Sequence, residues 1–352
     1  MTCWYKTDIT WRHKRVSFNR NINMDKKVES VISALEKQFN GDEAHDMDIV
    51  RQYLATLDRS EENIDIVREI GKYCTEKFPN SEAVKNARQL EEAFNTFRTK
   101  IIEIQESMKA RNFERAVSLL REVIGESVPA PIEGKKRFCF DHPFEEMIWR
   151  ANSHDETPLE RLSTLPMVLY YQLGSSLFEL KDYDAAREAY EHALELNPVN
   201  TLVYFELIKI AKAREDYQEV RNILAKIHSY LYSRHQLARF YREHAGLAMI
   251  EGKYDLAATL VYLSIDYEDT PVARAQLNAL AKHRGTDLNK PNVDLLKARL
   301  ENAHIPVGPS SLVYQTALQI GEMTRHQYPQ ISKMAFGIAY DITHYRPLLK
   351  EL

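Results

Sequence analysis

The sequence predicts an all-α protein in which antiparallel helix pairs stack on one another behind an N-terminal helical bundle. Three observations predict it. The 352 residues include only 11 glycines and 13 prolines, scarce punctuation that favours helices joined by short turns. No stretch alternates apolar and polar residues long enough to require a strand. Residues 167–200, MVLYYQLGSSLFELKDYDAAREAYEHALELNPVN, read as two amphipathic helices whose apolar period changes phase at 177–183, where the turn falls.

Residues 1–23 stand apart as a basic extension, with Lys6, Arg12, Lys14, Arg15 and Arg20 against Asp8. They read in one of three ways: as codons upstream of a true start at Met24, as a disordered tail, or as an arm for nucleic acid or a membrane surface. The arm reading rests on the interleaving of the cations with Trp4, Tyr5, Trp11 and Phe18. An amphipathic helix follows Met24, with Val28, Val31, Ile32, Leu35 and Phe39 on one face. Residues 24–126 read as an N-terminal helical region of degenerate repeats. Ile64, Val67, Ile70 and Cys74 share a helix ending at Phe78-Pro79, and Phe113, Ala116, Leu120 and Val123 mark a later one.

Residues 127–165 break the helical pattern with four prolines and the basic-aromatic run 135–140. Pro143 opens a short helix. This is an insertion or a linker, and Phe138, Phe140, Phe144 and Trp149 are expected to dock on the repeats. They do so either as packing or as a built-in occupant of a partner groove. Cys139, Asp141, His142, His154 and Asp155 have metal-ligand atom types, but a structural zinc site wants four ligands in tight pairs, and Cys139-x-x-His142 is the one pair so spaced. No metal and no cofactor is expected.

Residues 166–271 read as three repeats. In the first, Gly174 and Ala186 sit where the helices cross, and Tyr170, Leu173 and Tyr190 fill the space beside the crossing. Asp182 suits the start of the second helix, and Asn197-Pro198 stops it. Residues 201–234 repeat the pattern with Tyr204, Leu207 and Tyr217, and residues 238–271 with Tyr241, Ala245, Tyr254 and Ala257. Residues 272–352 read as degenerate C-terminal repeats, with Tyr314, Gly321, Tyr328 and Ala335 in a weak copy over 312–343. One such unit cannot bury its own apolar face, so it needs stacked neighbours.

The offsets of Tyr170, Leu173, Gly174, Leu177, Ala186, Tyr190, Ala193 and Pro198 resemble the tetratricopeptide repeat, a helix–turn–helix unit of about 34 residues. The chain is also similar to a group of uncharacterised bacterial repeat proteins in NPVNTLVYFELIKIAKAREDY, LARFYREHAGLAMIEGKYDLAATLVYLSIDYED, IPVGPS and IAYDIT. These resemblances imply an all-α, right-handed solenoid of stacked antiparallel helix pairs, and a bacterial, cytoplasmic, non-catalytic scaffold for other proteins. In the tetratricopeptide family, peptides lie in a concave groove lined by first helices. The matching positions here are Tyr171, Ser175 and Phe178, then Phe205, Lys209 and Lys212, then Arg239, Arg242 and Met249. Aromatics and four cations together imply a partner with acidic and apolar side chains. The family's clamp for a C-terminal carboxylate wants lysine and asparagine where this chain has Tyr171 and Ser175, which argues against that chaperone-binding role.

Composition sets further bounds. A net charge of −4 gives no general reason to bind nucleic acid or an anionic membrane. No run of about 18 apolar residues is present, and the N-terminus lacks the apolar stretch of a secretory signal. Cys3, Cys74 and Cys139 read as reduced cytosolic thiols. No phosphate loop, nucleophile elbow or paired-histidine motif points to an enzyme. Two alternatives remain beside the scaffold. One is a peptide-sensing regulator, though no basic recognition helix is evident. The other is a metal-dependent enzyme using residues 139–155. The apolar ending IAYDITHYRPLLKEL predicts a homodimer, because solenoid ends need polar caps.

Overall fold

The structure, a computed structural model, describes residues 18–57, 61–127, 132–285 and 288–351. Among the described residues, sixteen α-helices and two 3-10 turns make up the regular structure, with two short strands. The chain divides into two compact units, residues 1–99 and 100–352.

In the first unit α1 (Phe18–Glu36), α2 (Glu43–Ala55), α3 (Glu61–Lys77) and the start of α4 (Glu82–Lys109) close on a small core. Val28 and Leu35 of α1 meet Val50, Ile66, Ile70 and Cys74 there. Phe78 closes the end of α3, edge-on to Phe39 at 5.6 Å. Asp42 caps α2 by accepting from the amides of Ala44 and His45. The readings of residues 1–17 fall outside the described residues, and α1 already begins upstream of Met24.

The second unit is a stack of helical hairpins. The end of α4 pairs with α5 (Phe113–Ser127), bridged by Lys100–Glu122 and Arg115–Glu103, both at 2.7 Å. Next come α7 (Leu165–Glu179) with α8 (Tyr183–Leu196), then α9 (Thr201–Ala213) with α10 (Tyr217–Ile227). The third pair is α11 (Arg234–Ile250) with α12 (Tyr254–Tyr267). α5 packs directly on α7, so residues 100–126 belong physically to the repeat stack. The turns inside these pairs are built alike. Arg111, Lys181, Glu215 and Gly252 all have a left-handed backbone, with φ of 59, 63, 60 and 71°. The amide that follows each one reaches back to a carbonyl five residues earlier: Asn112 to Ser107, Asp182 to Leu177, Asp216 to Ala211 and Lys253 to Ala248. An aromatic residue then opens each second helix: Phe113, Tyr183, Tyr217 and Tyr254.

Beyond α12, α13 (Pro271–Arg284) and α14 (Val293–Asn302) both rest on α12 and extend the stack. The last pair, α15 (Ser311–Thr324) and α16 (Pro329–Thr343), does not take the next step. It folds back, with α15 against α6 (Pro143–Ser153) and the 3-10 turn His228–Tyr230, and α16 against α11. The backbone amide of Arg234 donates to Asp341 at 2.9 Å and anchors this return.

Residues 132–165 fold onto the stack. Strand β1 (Lys136–Phe138) runs parallel to β2 (Leu159–Arg161), with α6 between them. Phe138, Phe144 and Trp149 are buried, and Phe138 lies 4.7 Å from Trp149 and 5.3 Å from Phe140. The sequence left two places for this segment, packing or the partner groove. Its hydrogen bonds run to the turns between repeats: Cys139 N to Leu196 O at 2.7 Å, and Asn152 Nδ2 to Ser229 O at 3.5 Å.

Candidate interaction surface

The first helix of each repeat turns one face towards its own second helix and the other outward. On α7, Tyr171, Ser175 and Phe178 are each partly exposed. Tyr171 leans on Tyr190 with centroids 5.8 Å apart, and Phe178 on Tyr183 at 5.4 Å. Burial and the carboxylate of Glu206 push the Tyr171 phenol well above its ordinary pKa, so it remains a neutral donor. Ser175 is half-buried between these two rings in the helix.

Helices α9 and α11 are tied by charge. Glu206 accepts from Lys209 at 2.5 Å and from Arg239 at 3.5 Å. Glu243 takes Lys212 and lies 3.8 Å from Arg239. Lys212 can cross to α11 because Gly246 leaves room, with its Nζ 3.3 Å from where a Cβ would sit. The Arg239 guanidinium stacks over Phe205 at 4.3 Å. Phe205 itself is 2% exposed, so it holds Arg239 in place from below and offers a partner no open surface. Arg242 differs from the other three cations. Its guanidinium donates to Ser264 Oγ at 3.2 Å, with no carboxylate oxygen within 4 Å among the described residues. Burial lowers its pKa from the ordinary arginine value. Met249 is half-buried beside Ile250, which is exposed.

Eight of the nine sequence-chosen residues thus lie wholly or partly accessible on successive first helices, and Phe205 supports them from beneath. A family model for the tetratricopeptide repeat matches residues 168–200, the α7–α8 hairpin. The chain contains a tetratricopeptide repeat. Such repeats are protein–protein interaction modules, which bind along a stacked helical surface. No curated protein matches the chain significantly. The matched repeat shows why its small residues are needed. Tyr190 lies over Gly174, and Ala186 and Ala193 are fully buried.

Sequence reasoning missed the joint between this repeat and residues 132–165. Glu145 is 4% exposed, and one of its oxygens accepts from the amides of Asp141 and His142 and from Asn197 Nδ2. Its other oxygen accepts from the Tyr232 hydroxyl at 3.2 Å. Asn200 donates to Asp141 at 2.9 Å. Burial and the nearby Glu145 charge push the Asp141 carboxyl up to about 6. The only hint in sequence is the pair of asparagines in 197–200, which also reads as ordinary helix punctuation.

The atoms weighed for a metal are engaged otherwise. Cys139 is fully buried, and His142 caps α6 and stacks 5.5 Å from Tyr232. Among the described residues, no group of three or more His, Cys, Asp or Glu side chains is placed to hold a metal ion. No helix among them is long and apolar enough to cross a membrane.

Proposed function

We propose that this protein is a non-catalytic scaffold whose groove, formed by α7, α9 and α11, captures a partner segment with acidic and apolar side chains. The observation that supports this reading is Arg242, a partly buried guanidinium with no carboxylate oxygen within 4 Å among the described residues, which Glu268 and Glu243 reach only through their more distant charge. A buried cation is costly until paired, and a partner carboxylate can pair it with charge-assisted hydrogen bonds. Lys209, Lys212 and Arg239 share Glu206 and Glu243, so the groove keeps an excess of positive charge. Tyr171, Phe178, Met249 and the exposed Ile250 supply apolar contact along the same face.

The test is selection of acidic–apolar peptides against the full chain, followed by affinity measurement with Lys209→Glu/Arg242→Glu. Selected peptides should lose binding to that variant, and Arg242→Gln alone should weaken it about tenfold or more, as loss of a charge-assisted bond implies. Thermal stability is followed in parallel to exclude unfolding. Undiminished binding to the double variant would refute the groove assignment.

Two further points belong to the same reading. The free, buried thiols of Cys74 and Cys139 support a reducing compartment such as the bacterial cytosol. The C-terminal hairpin and tail leave Met323, Tyr328, Tyr345 and Leu349 at least half exposed, which supports self-association as a homodimer. A monomer by light scattering at working concentration would remove that part.

A further inference from the structure

The seam between the second and third repeats is looser than the seam before it. Helix α8 packs closely on α9, whereas α10 touches α11 sparsely. The gap is a cleft of about 850 Å³ between α10, α11 and residues 302–306. Ala225, Phe240, Leu247 and Ile305 give it apolar walls. At its mouth Arg221 and Lys253 both pair with Glu251, at 2.6 and 2.7 Å, so two cations share one carboxylate. Further in, His244 packs edge-on to Phe240 at 4.6 Å, and its Nε2 has no hydrogen-bond partner.

The outer wall is fastened from behind. The Tyr241 hydroxyl donates to Pro306 O at 3.0 Å and accepts from Gly308 N at 2.7 Å. His228 Nε2 lies 3.0 Å from Gly308 O. The cleft is therefore part of the packed fold. Its volume is in the range of about 300–1,000 Å³ that suits a small molecule.

From the apolar walls, the doubly cationic mouth and the volume, we propose that this cleft binds a small aliphatic carboxylic acid. Its carboxylate takes one of the two cations that now share Glu251, and Arg221 can hold it with two parallel hydrogen bonds. Its hydrocarbon body lies along Ala225, Leu247 and Ile305, out of water. A basic ligand would meet Arg221 and Lys253 with like charge. The cleft opens between α10, α11 and the 302–306 segment, on residues separate from those of the groove that carries Arg242. The site therefore stands or falls independently of the scaffold reading.

Octanoate is the probe, titrated by calorimetry into the full chain, with octylammonium as the control of equal length and opposite charge. Octanoate should bind saturably at one site and raise the melting temperature, and octylammonium should do neither. Ala225→Trp, at an exposed position, should block the cleft. Arg221→Gln/Lys253→Gln should weaken octanoate about tenfold or more. Lys209→Glu/Arg242→Glu should leave octanoate binding unchanged. Equal binding of octylammonium would overturn the charge assignment. Full octanoate affinity in Ala225→Trp would overturn the location, and the absence of saturable octanoate binding would overturn the proposal outright.

Discussion

The ring of Tyr190 lies so close to Gly174 that a Cβ at position 174 would fall 2.7 Å from its Cε1 atom. Phe336 meets Gly321 in the same way in the C-terminal hairpin, with a Cβ 2.7 Å from its Cζ. In both hairpins the glycine lets the helices approach to the thickness of one aromatic ring. Gly174→Ala should therefore force the ring or the helix aside and destabilise the protein by about 1–3 kcal/mol. Urea unfolding measures this. Pairing it with Tyr190→Leu should restore part of the loss, and a simple sum of the two single effects would contradict the contact.

The left-handed turn positions carry a cost that glycine does not. Lys181 and Glu215 hold φ of 63 and 60° with a Cβ present. Glycine occupies the equivalent place at Gly252 without that strain. Lys181→Gly and Glu215→Gly should each stabilise by about 1 kcal/mol, the left-handed cost of a Cβ less the extra chain entropy that glycine loses on folding, seen as higher melting temperatures that add in the double variant. A drop in either would mean that the lost side chain matters more than the turn.

The start of α12 lacks a cap that its counterparts have. Asp182 and Asp216 accept from backbone amides at the starts of α8 and α10, at 3.2 and 2.9 Å, while Lys253 makes no such bond before α12. Lys253→Asn should supply one and raise stability by about 1 kcal/mol, by the same unfolding measurement.

Glu145 joins residues 132–165 to the repeats. Replacing it by alanine leaves Asn197, Tyr232 and two backbone amides without their acceptor. The expected loss is about 2–4 kcal/mol, with limited proteolysis cutting first within 132–165. Glu145→Gln keeps an acceptor oxygen and should lose less. Equal losses would show that shape matters more than the hydrogen bonds.

Acid should weaken the fold through His244. Burial pushes its pKa from 6.5 down to about 4, so the unfolded chain takes up the proton first as pH falls. Its contribution is complete above about 6.5 and is lost towards about 4, up to about 3 kcal/mol. His228 shifts in the same direction, also from burial. Asp141 opposes them. Its raised pKa of about 6 means the folded state holds the proton more tightly, so stability is gained as pH falls from about 6 towards 3.8. His244→Leu should flatten the decline between pH 6.5 and 4, and Asp141→Asn should steepen it, in melting curves across that range.

The sequence by itself determined the hairpin at residues 167–200, because its glycine, alanines and aromatics recur at fixed offsets set by close helix crossing. The proposed groove positions came from the resemblance to the tetratricopeptide repeat, whose register carries them onto successive first helices. Residues 100–126 were harder to read as a repeat. There the recognised offsets are those of the second helix, Phe113, Ala116, Leu120 and Val123, without a matching pattern in the first. Tertiary structure alone decided that Phe205 is a buried floor for Arg239, and that Arg242 bonds Ser264 in place of a carboxylate while its neighbours pair with Glu206 and Glu243 directly. It decided that residues 132–165 dock on Asn197 and Tyr232, and that α15 and α16 fold back instead of extending the stack. The helix pairs are local and periodic, so nearby residues specify them. The joints bring together Glu145 and Tyr232, or Arg234 and Asp341, across long stretches of chain. Such contacts form only when whole elements pack, and no local pattern of residues records them.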